Sequence, residues 1–233
     1  MEYVILSNGV KMPMLGYGVF QVSNDETERC VADAIKCGYR LIDTAQAYGN
    51  EEGVGAAIAK CGVPRDELFI TSKIWISNAG DEKAAASIDE SLRKLGTDYI
   101  DLMLIHQPIS DYYGSYRAME RAYEAGKLRA IGVSNFYPDR LVDLCNFAKI
   151  PPMVDQIETH AFMQRKEDHA VMQEYGVVHE AWAPFAEGRN DYFTNPVLVA
   201  IGAKYGKSSA QVALRFLILS LIHISEPTRH AQI

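Results

Sequence analysis

Four polar side chains stand at the ends of short apolar runs or just beyond them. Asp43 follows Leu-Ile, Lys73 follows Phe-Ile-Thr-Ser, His106 follows Leu-Met-Leu-Ile, and Tyr48 comes five residues after Asp43. A single residue of this kind is usually a helix cap or a packed side chain. If the runs are parallel strands of one barrel, however, their carboxyl ends gather on one face. We therefore expect these four side chains to converge on one cleft.

Together the four side chains fit the reduction of a carbonyl group. A tyrosine hydroxyl has a pKa of about 10, a poor match to neutral pH, and a nearby ammonium favours its ionised form. Lys73 would supply that ammonium, and Asp43 would hold it in place. Tyr48 would act as general acid while His106 hydrogen-bonds the carbonyl oxygen. Because no side chain donates hydride, a nicotinamide cofactor is implied.

Short apolar runs alternate with longer amphipathic stretches along most of the chain. An Asn-Gly pair between two apolar runs predicts a β-hairpin over residues 1–12. Seven strands are predicted beyond it, at residues 14–18, 41–43, 68–72, 101–105, 130–133, 153–157 and 178–182. Helices are predicted between and after them, at residues 25–36, 51–60, 81–95, 115–125, 138–147, 167–175 and 208–219.

This alternation indicates a parallel α/β sheet, either doubly wound or closed into a barrel. No Gly-x-Gly-x-x-Gly motif opens a helix after an early strand, so the dinucleotide fingerprint of a Rossmann domain is absent. The candidate side chains also end several different strands, which is the pattern of a TIM barrel. We therefore predict a (β/α)8 TIM barrel with an N-terminal β-hairpin.

Composition and charge exclude several classes of protein. The chain has 233 residues and a formal net charge of −7, which disfavours a nucleic-acid partner. No run of about 18 apolar residues predicts a membrane span, and the N-terminal residues lack the features of a secretory signal. We expect a cytoplasmic protein. The four cysteines form no C-x-x-C pair, so we expect buried free thiols and no metal site.

Several long motifs resemble those of the aldo-keto reductase family. Residues 38–45 read Gly-Tyr-Arg-Leu-Ile-Asp-Thr-Ala and residues 48–51 read Tyr-Gly-Asn-Glu, which is similar to the first family signature. Residues 126–136 read Gly-Lys-Leu-Arg-Ala-Ile-Gly-Val-Ser-Asn-Phe, which is similar to the middle signature. Residues 15–21 and 181–188 resemble the prokaryotic branch that includes diketogluconate reductases. The resemblance runs from about residue 8 to residue 216 in family order and spacing.

The resemblance implies roles for individual residues. It makes Asp43, Tyr48, Lys73 and His106 the catalytic tetrad. The cofactor-binding residues that it implies are Gly18, Val19, Asp43, Ser134, Asn135, Gln156, Trp182, Ala183 and Phe185, with Ser134, Asn135 and Gln156 on the nicotinamide carboxamide and Trp182 stacked on the ring. The substrate-binding residues that it implies are Phe20, Tyr48, Trp75 and His106. Without the family, Trp182 would be a core aromatic and Ser134–Asn135 a helix cap.

The pattern breaks after Ile218. The family continues into an eighth strand, a Pro-Lys-Ser-type motif and a downstream Arg and Asn that hold the adenosine phosphate of NADPH, and residues 219–233 show no counterpart. We therefore interpret residues 1–218 as a barrel that lacks the eighth strand and final helix, with open strand edges. Residues 219–233 are a non-family tail, either an artefactual reading frame or a divergent terminus. We expect residues 217–224 to extend the last helix, the alternative being a short strand on the open edge.

The function implied is that of an NAD(P)H-dependent reductase of aldehydes and small ketones, including sugar-derived and dicarbonyl compounds. The cofactor expected is NADPH, with NADH as the alternative, and the partner is a small-molecule carbonyl substrate. A monomer is expected for a complete barrel. Two alternatives stay open on the same fold, namely a cofactor-binding regulatory scaffold and an inactive fragment. The complete tetrad favours catalysis.

Overall fold

An N-terminal hairpin covers one end of the strands that follow it. The computed structural model describes residues 2–220 and 222–225. Strands β1 (Tyr3–Ile5) and β2 (Lys11–Pro13) pair antiparallel, and Gly9 adopts the left-handed conformation in the turn, as the Asn-Gly pair predicts. Asn8 Nδ2 donates to the carbonyl of Arg129 at 2.9 Å. Because Arg129 lies ahead of a barrel strand, the hairpin sits at the amino ends of the strands.

Eight parallel strands close into a barrel within the described residues. They are β3 (Leu15–Gly18), β4 (Leu41–Asp43), β5 (Phe69–Ile74), β6 (Leu102–Ile105), β7 (Ile131–Ser134), β8 (Val154–Glu158), β9 (Val178–Trp182) and β10 (His223–Ser225). The first seven lie where the sequence predicts them, within one or two residues at each end. The TIM barrel and its hairpin are therefore confirmed.

The prediction that the eighth strand is missing is wrong. Strand β10 pairs in parallel with β9 on one side and with β3 on the other, and Ile224 N donates to the carbonyl of Met14 at 3.0 Å. The predicted extension of the last helix is also wrong, because that helix ends at Leu219. An open edge offers unpaired backbone groups, and pairing with them outweighs the helical preference of residues 222–225. The predicted absence of the final helix concerns residues outside the described ones and stays a prediction.

Helices surround the barrel strands. They are α1 (Asn24–Lys36), α2 (Glu51–Lys60), α3 (Asp81–Leu95), α4 (Tyr112–Glu124), α5 (Pro138–Phe147), α6 (Lys166–Glu174), α7 (Pro196–Tyr205) and α8 (Ser209–Leu219). The apolar faces of α1 to α6 pack against the barrel strands in one large core, whereas α7 and α8 contribute to two smaller clusters. Helix α7 is absent from the sequence-based prediction. None of the described helices combines the length and apolar character needed to cross a bilayer.

Strand register decides which side chains meet inside the barrel. Lys73 pairs with Leu104, Ser134 with Gln156, and Gln156 with Glu180, so these positions share the inner face. The polar members of this layer lie toward the carboxyl ends of their strands. The barrel interior is therefore apolar at its amino end and polar beneath the carboxyl-end loops.

The four cysteines are all free thiols, as predicted. The expectation that they are buried is wrong, because Cys37 is exposed and the others are half-buried. Their positions on the helical layer and its connections, outside the barrel interior, account for this exposure. Among the described side chains, no group of three or more His, Cys, Asp or Glu residues is placed to hold a metal ion.

Candidate active site

A buried ammonium links three of the four candidate catalytic residues. Lys73 lies within β5 and is 1% exposed. Its Nζ donates to Asp43 Oδ1 at 2.5 Å, to the carbonyl of Thr44 at 3.0 Å and to Tyr48 Oη at 3.4 Å. Burial alone would lower the pKa of Lys73, but the charge of Asp43, the hydroxyl of Tyr48 and the hydrogen bond to Asp43 together raise that pKa above its ordinary value. Lys73 therefore holds a positive charge beside the phenol oxygen.

The second oxygen of Asp43 is also engaged. Gln156 Nε2 donates to Asp43 Oδ2 at 2.9 Å across the barrel from β8 to β4. Both residues are buried, so this bond and the ion pair to Lys73 hold the carboxylate in a single orientation. Asp43 thus positions Lys73, and Gln156 positions Asp43.

Tyr48 lies on a short 3-10 turn, Gln46–Tyr48, that follows β4. Gln46 Oε1 accepts from the backbone N–H of Trp75 at 3.0 Å, and Gln46 Nε2 donates to Ser91 Oγ at 3.1 Å. These bonds tie the turn that carries Tyr48 to the end of β5 and to helix α3. Sequence reasoning did not identify Gln46, because its partners are separated from it by 29 and 45 positions.

His106 completes the cluster just beyond β6. Its ring centroid lies 5.7 Å from that of Tyr48 and 5.0 Å from that of Trp75. Its Nδ1 is buried and has no hydrogen-bond partner among the described residues, so Nε2 is the ring nitrogen available to the cleft. Burial, and secondarily the charge of Lys73, lower the pKa of His106 to about 3. The imidazole is therefore neutral at physiological pH.

Asn135 joins the carboxyl ends of four strands. Its Nδ2 donates to the carbonyl of His106 at 3.0 Å and to Ser134 Oγ at 3.1 Å, and its backbone N–H donates to the carbonyl of Gln156 at 3.0 Å. Its Oδ1 accepts from Trp182 Nε1 at 3.0 Å. Asn135 has a φ of 63°, a left-handed conformation that asparagine tolerates better than most residues.

A cavity of about 420 Å³ opens above this cluster. Its wall includes ten of the predicted site residues, namely Phe20, Asp43, Tyr48, Trp75, His106, Ser134, Asn135, Gln156, Trp182 and Ala183. Lys73 lies behind the wall and acts through its contacts. The structure therefore brings to one place the residues predicted to form the tetrad, to bind the carboxamide and to contact the substrate.

Three predicted cofactor residues lie away from the cavity wall. Gly18 ends β3 in register with Asp43, and Val19 is fully buried with its N–H donated to the Asp43 carbonyl at 3.0 Å. Phe185 is 3% exposed and packs in a separate apolar cluster with Tyr192. These three residues support the loops that border the cavity, and a contact with cofactor stays a prediction for each.

Five further residues line the cavity that sequence reasoning did not identify, namely Gln21, Ala47, Gln107, Glu187 and Arg189. Glu187 and Arg189 form an ion pair at 2.5 Å on the loop after β9. That loop holds Ala183, Ala186 and Glu187 at positive φ. Non-glycine residues at positive φ are uncommon and cluster at functional sites, and no sequence pattern reveals them here.

The sequence matches a known protein family and curated proteins over most of its length. A family model described as the aldo/keto reductase family matches residues 12–232. The chain is 48% identical over 217 residues to a glyoxal reductase of Bacillus subtilis, covering 92% of this chain and 78% of that protein. It is 43% identical over 225 residues to a morphine 6-dehydrogenase of Pseudomonas putida, covering 91% of this chain and 76% of that protein.

Solved structures agree with these sequence matches. An aldo/keto reductase from Brucella melitensis superposes with a TM-score of 0.93 at 40% identity, over 97% of this chain and 87% of that one. A Bombyx mori aldo-keto reductase in complex with NADP superposes with a TM-score of 0.91 at 34% identity, over 98% of this chain and 84% of that one.

Proposed function

The chain belongs to the aldo/keto reductase family, and from that premise we propose that it is an NAD(P)H-dependent reductase of aldehydes and small ketones. The observation that carries this proposal is the buried Lys73 ammonium, held by Asp43 against the hydroxyl of Tyr48 at a cavity wall. If the ion pair of Lys73 and Asp43 only stabilised the fold, it would not require the hydroxyl of Tyr48 beside it at the cavity wall. Membership of the branch that resembles diketogluconate reductases stays a prediction.

The proposed cofactor is NADPH, with NADH as the alternative. The Bombyx mori relative was solved with NADP. In this chain the side chains of Ser134, Asn135 and Gln156 bring hydroxyl and amide groups to one side of the cavity, beside the indole of Trp182. Hydroxyl and amide groups next to a flat aromatic face fit a ring that carries a carboxamide. We assign the carboxamide to these three residues and the ring face to Trp182.

The residues of this chain account for the proton and the charge in the reduction. When bound, the reduced nicotinamide supplies the hydride that forms the new C–H bond. As negative charge develops on the carbonyl oxygen, Tyr48 Oη transfers its proton there. The Lys73 ammonium stabilises the phenolate left behind, and Asp43 keeps that ammonium in place. The neutral His106 donates a hydrogen bond to the same oxygen from Nε2.

The proposed substrates are small carbonyl compounds. Phe20, Tyr48 and Trp75 supply an aromatic wall beside His106, while Gln21 and Gln107 bring amides to the same cavity. An aromatic wall with nearby amides fits a short carbon chain that carries additional oxygen atoms. The Bacillus subtilis relative is named for glyoxal. We propose that small dicarbonyl compounds are among the substrates of this chain.

The substitution Tyr48→Phe tests the assignment. We expect kcat for methylglyoxal to fall by about 100-fold or more, because general acid catalysis typically contributes that much. Binding of NADP+ should change little, since the hydroxyl serves the substrate. Steady-state kinetics and isothermal titration calorimetry measure the two quantities. Tyr205→Phe is the matched control, because Tyr205 is 72% exposed. A Tyr48→Phe enzyme that keeps full activity is incompatible with the proposal.

A further inference from the structure

A buried amide connects the loops that follow β3 and β4. Asn50 is fully buried at the start of α2, two residues after Tyr48 and outside the cavity wall. Its Oδ1 accepts from Thr44 Oγ1 at 2.7 Å, and its Nδ2 donates to the carbonyls of Val19 and Val22 at 2.9 and 3.0 Å. None of these three bonds caps α2. The side chain of Asn50 therefore serves neighbouring loops and not its own helix.

The Thr44 end of this connection is held by the barrel. Thr44 directly follows β4 and is fully buried. Its backbone N–H donates to the carbonyl of Thr71 at 2.9 Å, and its own carbonyl accepts from Lys73 Nζ at 3.0 Å. Because neither backbone bond involves Asn50, Thr44 is a fixed point from which the Asn50 amide reaches the preceding loop.

The other end of the connection is a tight turn at the cavity. The N–H of Val22 donates to the carbonyl of Val19 at 3.2 Å, so Phe20 and Gln21 are the central residues of the turn, and both line the cavity. Gln21 has a φ of 63°, a conformation that costs free energy for a residue other than glycine and persists where surrounding contacts impose it. Asn50 supplies such contacts, because it bonds the first and last carbonyls of this turn.

The turn in question places Phe20 against Tyr48. The two ring centroids lie 5.0 Å apart, with the ring planes at 50°. The Phe20 side chain is 40% exposed, so packing around the ring contributes little to its placement. The turn that carries Tyr48 is held separately, by the bonds of Gln46. The spacing of the two rings therefore depends on how the Val19–Val22 turn is held.

We propose that Asn50 is a positioning residue that sets the gap between Phe20 and Tyr48, by fastening the Val19–Val22 turn to Thr44. The inference rests on the proposed function, since it takes Phe20 to contact the carbonyl substrate and Tyr48 to protonate it. It gives the buried amide an effect on turnover that passes through the Phe20 ring, separate from its effect on the stability of the fold.

A double-mutant cycle tests this route. Asn50→Ala removes the three bonds, and Phe20→Ala removes the ring that they position. We expect Asn50→Ala to lower kcat/KM for methylglyoxal, at saturating NADPH, by about tenfold when Phe20 is present and by less than about twofold when Phe20 is already alanine. Residues that act through one another are coupled, and the expected coupling is about fivefold or more.

The free energy of unfolding of the same four proteins separates position from stability. Asn50→Ala should destabilise the fold, because it leaves buried polar groups without their partner. That loss should be the same with and without Phe20→Ala. Tyr116→Phe is the matched control, because it removes a bond from a buried hydroxyl to the carbonyl of Ile150, away from the cavity. It should lower stability in urea titrations and change kcat/KM by the same small factor in both backgrounds.

The outcomes distinguish the inference from the function on which it rests. If Asn50 only supports the fold, Asn50→Ala lowers kcat/KM by the same factor in both backgrounds, and the inference fails while the proposed function stands. If the parent chain does not reduce methylglyoxal with NADPH, the proposed function fails and the inference with it. If Asn50→Ala does not fold, Thr44→Val takes its place, because it removes only the hydroxyl bond to Asn50 and keeps the carbonyl that Lys73 uses. A coupling of about twofold or more between Thr44→Val and Phe20→Ala then supports the inference, and its absence overturns it.

Discussion

Lys73 and Asp155 show two different outcomes for a buried charge. Lys73 has a carboxylate, a carbonyl and a hydroxyl around its ammonium, and its pKa is raised despite burial. Asp155 is fully buried on β8, and the backbone N–H of Phe136 offsets only part of the effect of burial on its carboxyl group. Burial raises the pKa of Asp155 well above its ordinary value. The charge of Lys73 is stabilised within the site, whereas burial of the Asp155 carboxyl group reduces the stability of the fold.

Asp155→Asn should therefore stabilise the protein. The folded-state pKa of Asp155 lies above the unfolded value of about 3.9, so stability is greatest below that value and is lost as pH rises through the folded pKa. Asparagine has similar volume and no charge. We expect the variant to gain free energy of unfolding at pH 8 and to gain less at pH 4, as measured by urea titration. Asp98→Asn, at an exposed aspartate, is the control. A variant less stable than the parent at pH 8 would contradict this account.

Strand-end position was enough to predict that these side chains converge, but not the bonds that orient them. Asp43, Lys73 and His106 each end a strand or lie near its end. Because the strands of a parallel barrel all end on one face, these residues come together regardless of loop conformation. The bond from Trp182 to Asn135 spans 47 positions, and the bond from Gln46 to Ser91 spans 45. Such pairings depend on the tertiary packing of individual side chains, which periodicity and spacing do not encode.

At the scale of elements, alternating strands and helices were predictable, and helix α7 was not. Its sequence is apolar on every side, so it lacks the 3.6-residue pattern by which a helix at the surface is identified. Its ends did carry signals. Asn195 caps the first turn by accepting from the N–H groups of Val197 and Leu198, Pro196 opens the helix, and Gly206 follows it at positive φ. Capping residues at both ends could have revealed α7 where periodicity failed.

The closing strand β10 makes a testable contribution to stability. Ile224 is 1% exposed and packs with Ala181, Leu217 and Ile222. Ile224→Ala removes buried apolar atoms at the seam of the barrel, and substitutions of this kind cost about 2–5 kcal/mol. We expect the free energy of unfolding to fall by that amount in urea titrations. Leu219→Ala, at a side chain 66% exposed, should change it by less than about 0.5 kcal/mol. Equal stabilities of the two variants would show that β10 does not close the barrel in solution.

At the scale of the whole molecule, the barrel gathers one cavity from strands that are far apart in sequence. The chain spans 78% of the length of its Bacillus subtilis relative. The predicted boundary at residue 219, the monomeric state and the loss of the adenosine-phosphate contacts stay predictions. Residues 226–233 lie outside the described part of the chain. The cavity residues named above lie on strands β4 to β9 and on the loops that follow β3 to β9, all within the described part of the chain.

The most direct test of the proposed function is isotope transfer by the chain itself. NADPH that carries deuterium at both C4 positions is incubated with methylglyoxal and the protein, and the product alcohol is analysed by mass spectrometry. We expect one deuterium on the carbon that was the carbonyl, with none when protein is omitted, because hydride moves from the nicotinamide to that carbon. Product that forms without deuterium, or no product at saturating NADPH and substrate, would contradict the assignment of this chain as a carbonyl reductase.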